Sequence, residues 1–503
     1  STMALTLAAC GDDDDDPATA PSDPEPTAQS FTLTTDPDTG EEFAGGDGDD
    51  VYEAPLGQGL VVGTETAVPT LGGLDDIDGG EGTDTLNAVL NALGSASTVD
   101  PTLESIEVIN IKVAGAGLLG EIGPVGVADY SAPKVAVLDM TNVTGTQQVW
   151  LEDTDGQTVT VEAVQRNGYL EPADGLELTD VQEAITLGVR DASGVGYKLD
   201  YAADVLGSDD ASQSFAFVDA GTDLAPVAVG VYTAGADAIT TADIGVQGDN
   251  VVAFYTGEAG PEGSEDTIET VSIAGTGSIA FTSDSYLDKM TELTLEGALD
   301  VDVSDVWAGS LETVTVGGAD GTVLNLGRNV PETPGFSYTG GAGDDVLRVG
   351  GSDVANPVWP SPLQAHEDTA FPGANGGNAT SVAGGNGDDT LEVTGAAAGE
   401  TVNVATPNSV DGEETPVVTG FETLILNAAG GTFDVDGNAF AGLQSIEMVD
   451  TGSSTFKFDN LGTVPAAGLD LTLEPGQGSN GMAKMAVGGT SVEVDLADES
   501  GDA

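Results

Sequence analysis

One histidine, one cysteine and ten basic residues are all that 503 positions carry of those types, and each scarcity removes a class of function. With Cys10 alone there is no disulfide framework and no thiolate metal cluster. With His366 alone an H-E-x-x-H zinc site cannot exist, and a Ser–His–Asp triad would have only that residue to use. No G-x-S-x-G elbow is present either. His366 lies in a Pro/Gly-rich stretch, 355–383, and reads as an exposed loop histidine. Ten Lys and Arg stand against 86 Asp and Glu, for a formal net charge of −76. A polyanion of this kind repels nucleic acid and anionic lipid, which argues against nucleic-acid binding. No apolar run reaches the ~18 residues of a membrane-spanning helix.

What the chain does have is glycine, 72 residues of it, and an apolar fraction of 39% drawn mainly from Val, Leu, Ile and Ala, with aromatics at only 5%. That mixture suits short strands joined by tight turns better than helix bundles. The length allows two or three domains, or one elongated repeat structure that escapes the size limit on a single core.

The segment Leu7-Ala8-Ala9-Cys10 precedes Asp12–Asp16 and a Pro/Ser/Thr/Glu stretch to about Ser30. It resembles the lipobox of bacterial lipoproteins, which implies lipidation of Cys10 and an acidic tether over residues 1–30. The alternative is a chance match, because no basic segment precedes the apolar stretch.

Two patterns recur beyond that segment. The first is a glycine–aspartate turn, G-G-x-G-x-D followed after one residue by an apolar or aromatic side chain. It begins at Gly45, Gly79, Gly340 and Gly384, and its sixth positions are Asp50, Asp84, Asp345 and Asp389. This spelling matches the nonapeptide of calcium-binding parallel β-rolls. Glycines let the backbone turn so that successive carbonyls face one ion, and the aspartate adds a carboxylate. Ca²⁺ takes six to eight oxygens, so such a turn suits it. Candidate ligands are therefore Gly45, Gly46, Asp47, Gly48 and Asp50 in the first turn, and Gly80, Gly82 and Asp84 in the second. The later turns contribute Gly341, Gly343 and Asp345, then Gly385, Gly387 and Asp389. The turns are not in tandem. Spacings of 34 and 44 residues predict that 45 stacks on 79 and 340 on 384 across intervening excursions. Asp75, Asp76 and Asp78 either complete the first cluster or form a solvated acidic loop.

The second pattern marks strand starts: apolar, Glu or Gln, Thr or Ser, then apolar-x-apolar. It occurs at Leu103–Val108, Ile268–Ile273, Leu311–Val316, Phe421–Leu426 and Leu443–Met448, with a variant at Met290–Leu295. In the dense runs it returns every 21 or 22 residues. Alternation at period two gives a strand with one inward face, and recurrence near 20 residues gives one coil of a solenoid. Unrelated strands of a sandwich are the competing reading.

The block 31–87 with its two turns, and the later Gly420-Phe421-Glu422-Thr423-Leu424, resemble the RTX-type calcium-binding surface-layer proteins of Gram-negative bacteria. The resemblance covers most of 31–460 in pattern and is specific at the four turns. It implies a β-helical or β-sandwich body stiffened by Ca²⁺ and assembled into a two-dimensional lattice or fibrous coat. Self-association into a homo-oligomeric array or filament is the expected partnership, with lipid or lipopolysaccharide anchoring at the outer membrane as a further expectation. Such proteins leave by a C-terminal signal, whereas a lipobox implies another export route.

The expectation is thus an all-β, mostly parallel β-solenoid (β-helix/β-roll), in segments 31–330 and 331–503, acting as a secreted, calcium-dependent structural protein of the cell surface and not as an enzyme. Two alternatives stand beside it. One is an adhesin using the 355–383 loop with Trp359, His366 and Phe371. The other is a calcium-dependent β-helical polysaccharide-active enzyme, for which Arg166, Arg190, Arg328, Arg348 and six lysines offer no recognisable cluster.

Overall fold

A computed structural model describes residues 27–61, 64–91, 97–114, 134–154, 174–206, 211–234, 238–258, 267–306, 310–327, 335–350, 368–371, 380–397, 401–410, 413–429, 432–450, 455–460, 470–475, 482–487 and 490–495. They form an all-β parallel solenoid, and 26 of the described strands belong to one sheet. Among the described strands three pairs are antiparallel hairpins, Leu56–Val61 with Thr64–Pro69, Asn408–Val410 with Glu413–Thr415, and Met482–Val487 with Thr490–Asp495, and a lone antiparallel bridge joins Thr222 to Ala225.

Each coil visits up to three faces. The first is a parallel ladder that begins Ser30–Thr32, Val51–Ala54, Thr85–Asn91, Val108–Ala114 and Gln148–Glu152. The second begins with Ser97–Val99, Lys134–Asp139 and Asp174–Val181. Near the start of the chain the third face is Thr39–Ala44, Asp76–Asp78, Thr102–Glu104 and Val143–Thr144. Near its end that place is taken by Asp368–Phe371, Thr401–Ala405, Thr432–Asp436 and Thr455–Asp459. The ladder crosses the expected 330/331 division on its second face, where Val323–Gly327 pairs with Val346–Gly350.

Alternating sequence produces this because every second side chain of a strand points inward and each coil sets its inward residue on the one before. Tyr52, Leu86, Ile109, Val149 and Leu187 are in register on the first face, all without exposed surface. Val301, Leu324, Leu347, Leu391, Leu424 and Ile446 do the same on the second. Burial of each such side chain contributes roughly 1.5–3 kcal/mol. The column supplies no satisfaction for one coil alone, which is why the repeat must stack.

Three strands, Ile239–Glu258, Thr270–Phe281 and Glu292–Asp302, run from the first face into the second without interruption. Glycine makes the bend possible. Gly275 and Gly297 have φ of +136° and +113°, and a Cβ on Gly275 would lie 2.0 Å from the Val246 carbonyl oxygen.

Candidate metal centres

The four glycine turns come together as two stacked pairs. Glu81 N–H donates to Gly46 O at 2.8 Å and Thr85 N–H to Asp50 O at 2.9 Å, so the second turn lies directly against the first. The later pair repeats this, with Asn386 N–H to Gly341 O at 3.0 Å and Thr390 N–H to Asp345 O at 2.8 Å. Outer rungs match too. Thr83 N–H donates to Asp49 Oδ1 and Asp388 N–H to Asp344 Oδ1, each at 2.9 Å. The separations are too small for side chains. A Cβ on Gly80 would sit 2.3 Å from Gly46 O, and one on Gly385 would sit 2.2 Å from Gly341 O. The pairs occupy different corners. Turn 79–84 leads from the third face into the first, whereas turn 384–389 leads from the first, Ser381–Ala383, into the second, Thr390–Ala397.

Asp50, Asp84, Asp345 and Asp389 have no exposed surface, and they form columns. Gln29 N–H donates to Asp50 Oδ1 at 2.5 Å, and Asp50 N–H donates to Asp84 Oδ1 at 2.6 Å. Asp84 N–H then donates to Glu107 Oε2 at 2.8 Å. In the second pair Thr322 N–H donates to Asp345 Oδ1 at 2.9 Å, Asp345 N–H to Asp389 Oδ1 at 2.8 Å, and Asp389 N–H to Glu422 Oε2 at 2.9 Å. Each carboxylate therefore accepts the backbone donor of the coil before it.

The two turns of a pair differ at the other carboxylate oxygen. In the first turns it is satisfied locally, by Gly46 N–H on Asp50 Oδ2 and by Gly341 N–H on Asp345 Oδ2, each at 2.7 Å. In the second turns the equivalent glycines, Gly80 and Gly385, have φ of +92° and +109°. Gly80 N–H instead meets Asp78 Oδ1 at 3.1 Å. Asp84 Oδ2 and Asp389 Oδ2 are left buried with no hydrogen-bond partner. An unpaired anionic oxygen of this kind is costly in a protein interior.

Burial also acts on the protonation of both second-turn carboxyls. Burial raises the Asp84 carboxyl above its usual range, opposed by the Asp50 N–H and reinforced by Glu107 and Asp50. Burial pushes Asp389 up to about 6, with the Asp345 N–H opposing and Asp345, Glu422 and Asp344 adding repulsion. Beside the second pair the buried Tyr338 hydroxyl also lacks a partner, and burial with the two aspartates holds its pKa far above the ordinary phenol value.

The remaining candidates separate clearly. Asp47 is exposed, while Gly48 is buried where a Cβ would reach 2.7 Å from the Thr27 carbonyl carbon. Gly82 and Gly387 pack over Gly48 O and Gly343 O. Asp78 joins the first turn pair through Gly80, and its own carbonyl accepts Gly45 N–H and the Tyr52 hydroxyl. Asp76 is exposed. Asp75 is buried at the opposite end of the Asp76–Asp78 strand, where its carboxylate accepts Asp38 N–H at 3.0 Å and Gly72 N–H at 2.7 Å. Cys10, Trp359, His366, Arg166 and Arg328 lie outside the described residues.

Glu107 and Glu422 belong to these columns although sequence reasoning assigned them only to strand starts. The signal was available. Each stands immediately before its strand, where the turn aspartates stand before theirs.

Calcium fits this donor set in one respect and is constrained in another. A buried anionic oxygen without a donor, beside close-packed glycine carbonyls, is hard-oxygen chemistry of the kind Ca²⁺ takes. Among the described residues no three His, Cys, Asp or Glu side chains converge on a point, so an ion there would draw mainly on carbonyls and water. No protein-family model matches this chain, and no curated protein matches it.

Proposed function

We propose that this chain is a calcium-stabilised structural protein of the bacterial cell surface, self-associating into an array or filament. The observation that carries the reading is the pair of fully buried carboxylates, Asp84 and Asp389, each with an oxygen lacking any donor at a glycine-lined corner. In a chain of net charge −76, such oxygens call for a cation and not for another hydrogen bond. Bound Ca²⁺ supplies compensating positive charge, and the chain supplies the rest. Asp84 and Asp389 hold anionic oxygens in place, the ladder of N–H donors fixes their orientation, and the glycines admit carbonyls at close range.

Binding to the folded stack alone stabilises it by RT ln(1 + [L]/Kd), about 2.7 kcal/mol per ion at a free concentration a hundred times Kd. Extracellular calcium is high enough to engage modules with Kd near 10⁻⁴–10⁻³ M. The lipobox resemblance at Cys10 accords with lipid anchoring outside the cell, and the reading is not enzymatic. Circular dichroism and electron microscopy of the full chain, with Ca²⁺ and after chelation, test it. Ordered assemblies and a higher melting temperature should require calcium. Identical folding and assembly in thorough chelation would remove the proposal.

A further inference from the structure

The corners that follow each turn pair contain no double glycine, yet they end in a carboxylate at the same place. Register sets Thr85 opposite Val108 and Thr390 opposite Thr423, so Glu107 stands one coil beyond Asp84 and Glu422 one coil beyond Asp389. The backbone confirms the alignment, with Val108 N–H on Asp84 O at 3.0 Å and Thr423 N–H on Asp389 O at 3.1 Å. At the other end of the corner, Cβ atoms on Gly79 and Gly384 would approach Ser105 O at 2.0 Å and Gly420 O at 2.3 Å. The corner therefore shortens from Gly79–Asp84 to Ser105–Glu107, and from Gly384–Asp389 to Gly420–Glu422. In both shortened corners the first residue has positive φ, +54° at Ser105 and +67° at Gly420. The carboxylate is carried by the longer side chain in both. One added methylene lets a shorter corner reach the donor that an aspartate reaches from a longer one.

Both columns then lose their charge. The next residues in register are Gln147 and Gln444, whose N–H groups donate to Glu107 O at 2.9 Å and Glu422 O at 2.8 Å. Each column thus reads Asp, Asp, Glu, Gln, at two different corners, and the negative charge stops one coil beyond the turn that holds the unpaired oxygen.

We infer that Glu107 and Glu422 are positioning residues of the calcium corners, which orient Asp84 and Asp389 through their backbone N–H and extend the anionic field that draws the ion. This rests on the calcium reading above. A carboxylate used only as a backbone acceptor has no need of charge, since a glutamine oxygen accepts the same N–H. A carboxylate used for the ion does need it, and its charge is a liability when the ion is absent.

The test is Ca²⁺ titration calorimetry on the full chain, the Glu107→Gln/Glu422→Gln double variant and a Glu107→Ala/Glu422→Ala double variant, with thermal melting in excess chelator. The glutamine variant should bind Ca²⁺ at least about fivefold more weakly, yet melt in chelator at the parent's temperature or above it. The alanine variant, which loses the acceptor too, should fall on both measures. Parent-like calcium affinity in the glutamine variant, or an equal loss of stability with and without calcium, would reduce both residues to backbone caps and overturn the inference. A parent chain that binds no Ca²⁺ would instead sink the calcium reading and this inference with it.

Discussion

At Asp389 burial and three neighbouring carboxylates all oppose ionisation. Burial, then repulsion from Asp345, Glu422 and Asp344, raise its carboxyl to about 6, against roughly 4 in an unfolded chain. The folded state consequently holds this proton more tightly than the unfolded one does. The stability it contributes is complete below about pH 4 and is lost as pH rises through about 6. In chelator, the melting temperature should therefore fall across that window for the parent. Asp389→Asn should flatten the fall and melt higher than the parent at pH 7, while losing most of the gain from calcium. Differential scanning calorimetry from pH 4 to pH 7 checks both signs, and a lower melt for the variant in chelator at pH 7 would contradict the assignment.

Backbone strain gives a second residue-scale prediction, this one independent of calcium. Gly387 has φ of +143°, and a Cβ there would stand 2.4 Å from Gly343 O. Gly387→Ala should cost at least about 1–3 kcal/mol in denaturant melts with or without calcium, because the strain is in the chain itself. Asp47→Ala, on an exposed side chain of the first turn, should stay within about 0.5 kcal/mol in chelator.

At the scale of the strand, the inward columns decide stability. Leu391 has no exposed surface and lies in register between Leu347 and Leu424. Leu391→Ala should cost about 2–5 kcal/mol, read as a shifted denaturant midpoint, whereas Thr390→Ala, half-buried beside it, should cost much less. The strands themselves were legible in sequence, since Leu347-Arg348-Val349 and Leu391-Glu392-Val393 place apolar residues at every second position. The stacking of 45 on 79 and 340 on 384 was legible as well, because identical spelling invites pairing. Three things were not. Both kinds of corner are followed by the same alternating strand, so nothing local distinguishes a turn into the first face from one into the second. Excursions stretch the coil, with 23 residues from Asp84 to Glu107 but 44 from Asp345 to Asp389, which hides that Phe421–Leu426 takes the place of a glycine turn. Leu103–Val108 instead straddles a corner, its Leu103-Glu104 closing the strand Thr102–Glu104 and its Val108 opening the next. Asp75 stands near the first turn in sequence. A strand rises about 3.3 Å per residue, so Asp76–Asp78 carries it to the far corner and onto Asp38.

On the scale of the whole molecule, a parallel solenoid is stabilised between neighbouring coils and not across a single shared core. Removing an ion then weakens the coils that touch it far more than those at a distance. The two turn pairs lie toward opposite ends of the described ladder, at 45–84 and 340–389. The stretch between them, 186–325, is held by apolar columns and by glycine bends such as Gly275 and Gly297. Chelation should therefore not unfold the chain uniformly. Hydrogen exchange in chelator at moderate ionic strength should show protection falling first around Val51–Ala54, Thr85–Asn91, Val346–Gly350 and Thr390–Ala397, while Ile239–Glu258 and Thr270–Phe281 stay protected. Raising sodium chloride should recover part of the loss by screening a net charge of −76, because exposed charges interact weakly beyond about 10 Å at 0.1 M salt. Calcium at matched ionic strength should recover more, and at the two corners specifically. Equal recovery by both salts would mean that screening alone supports the corners, leaving Asp84 and Asp389 no role in holding an ion.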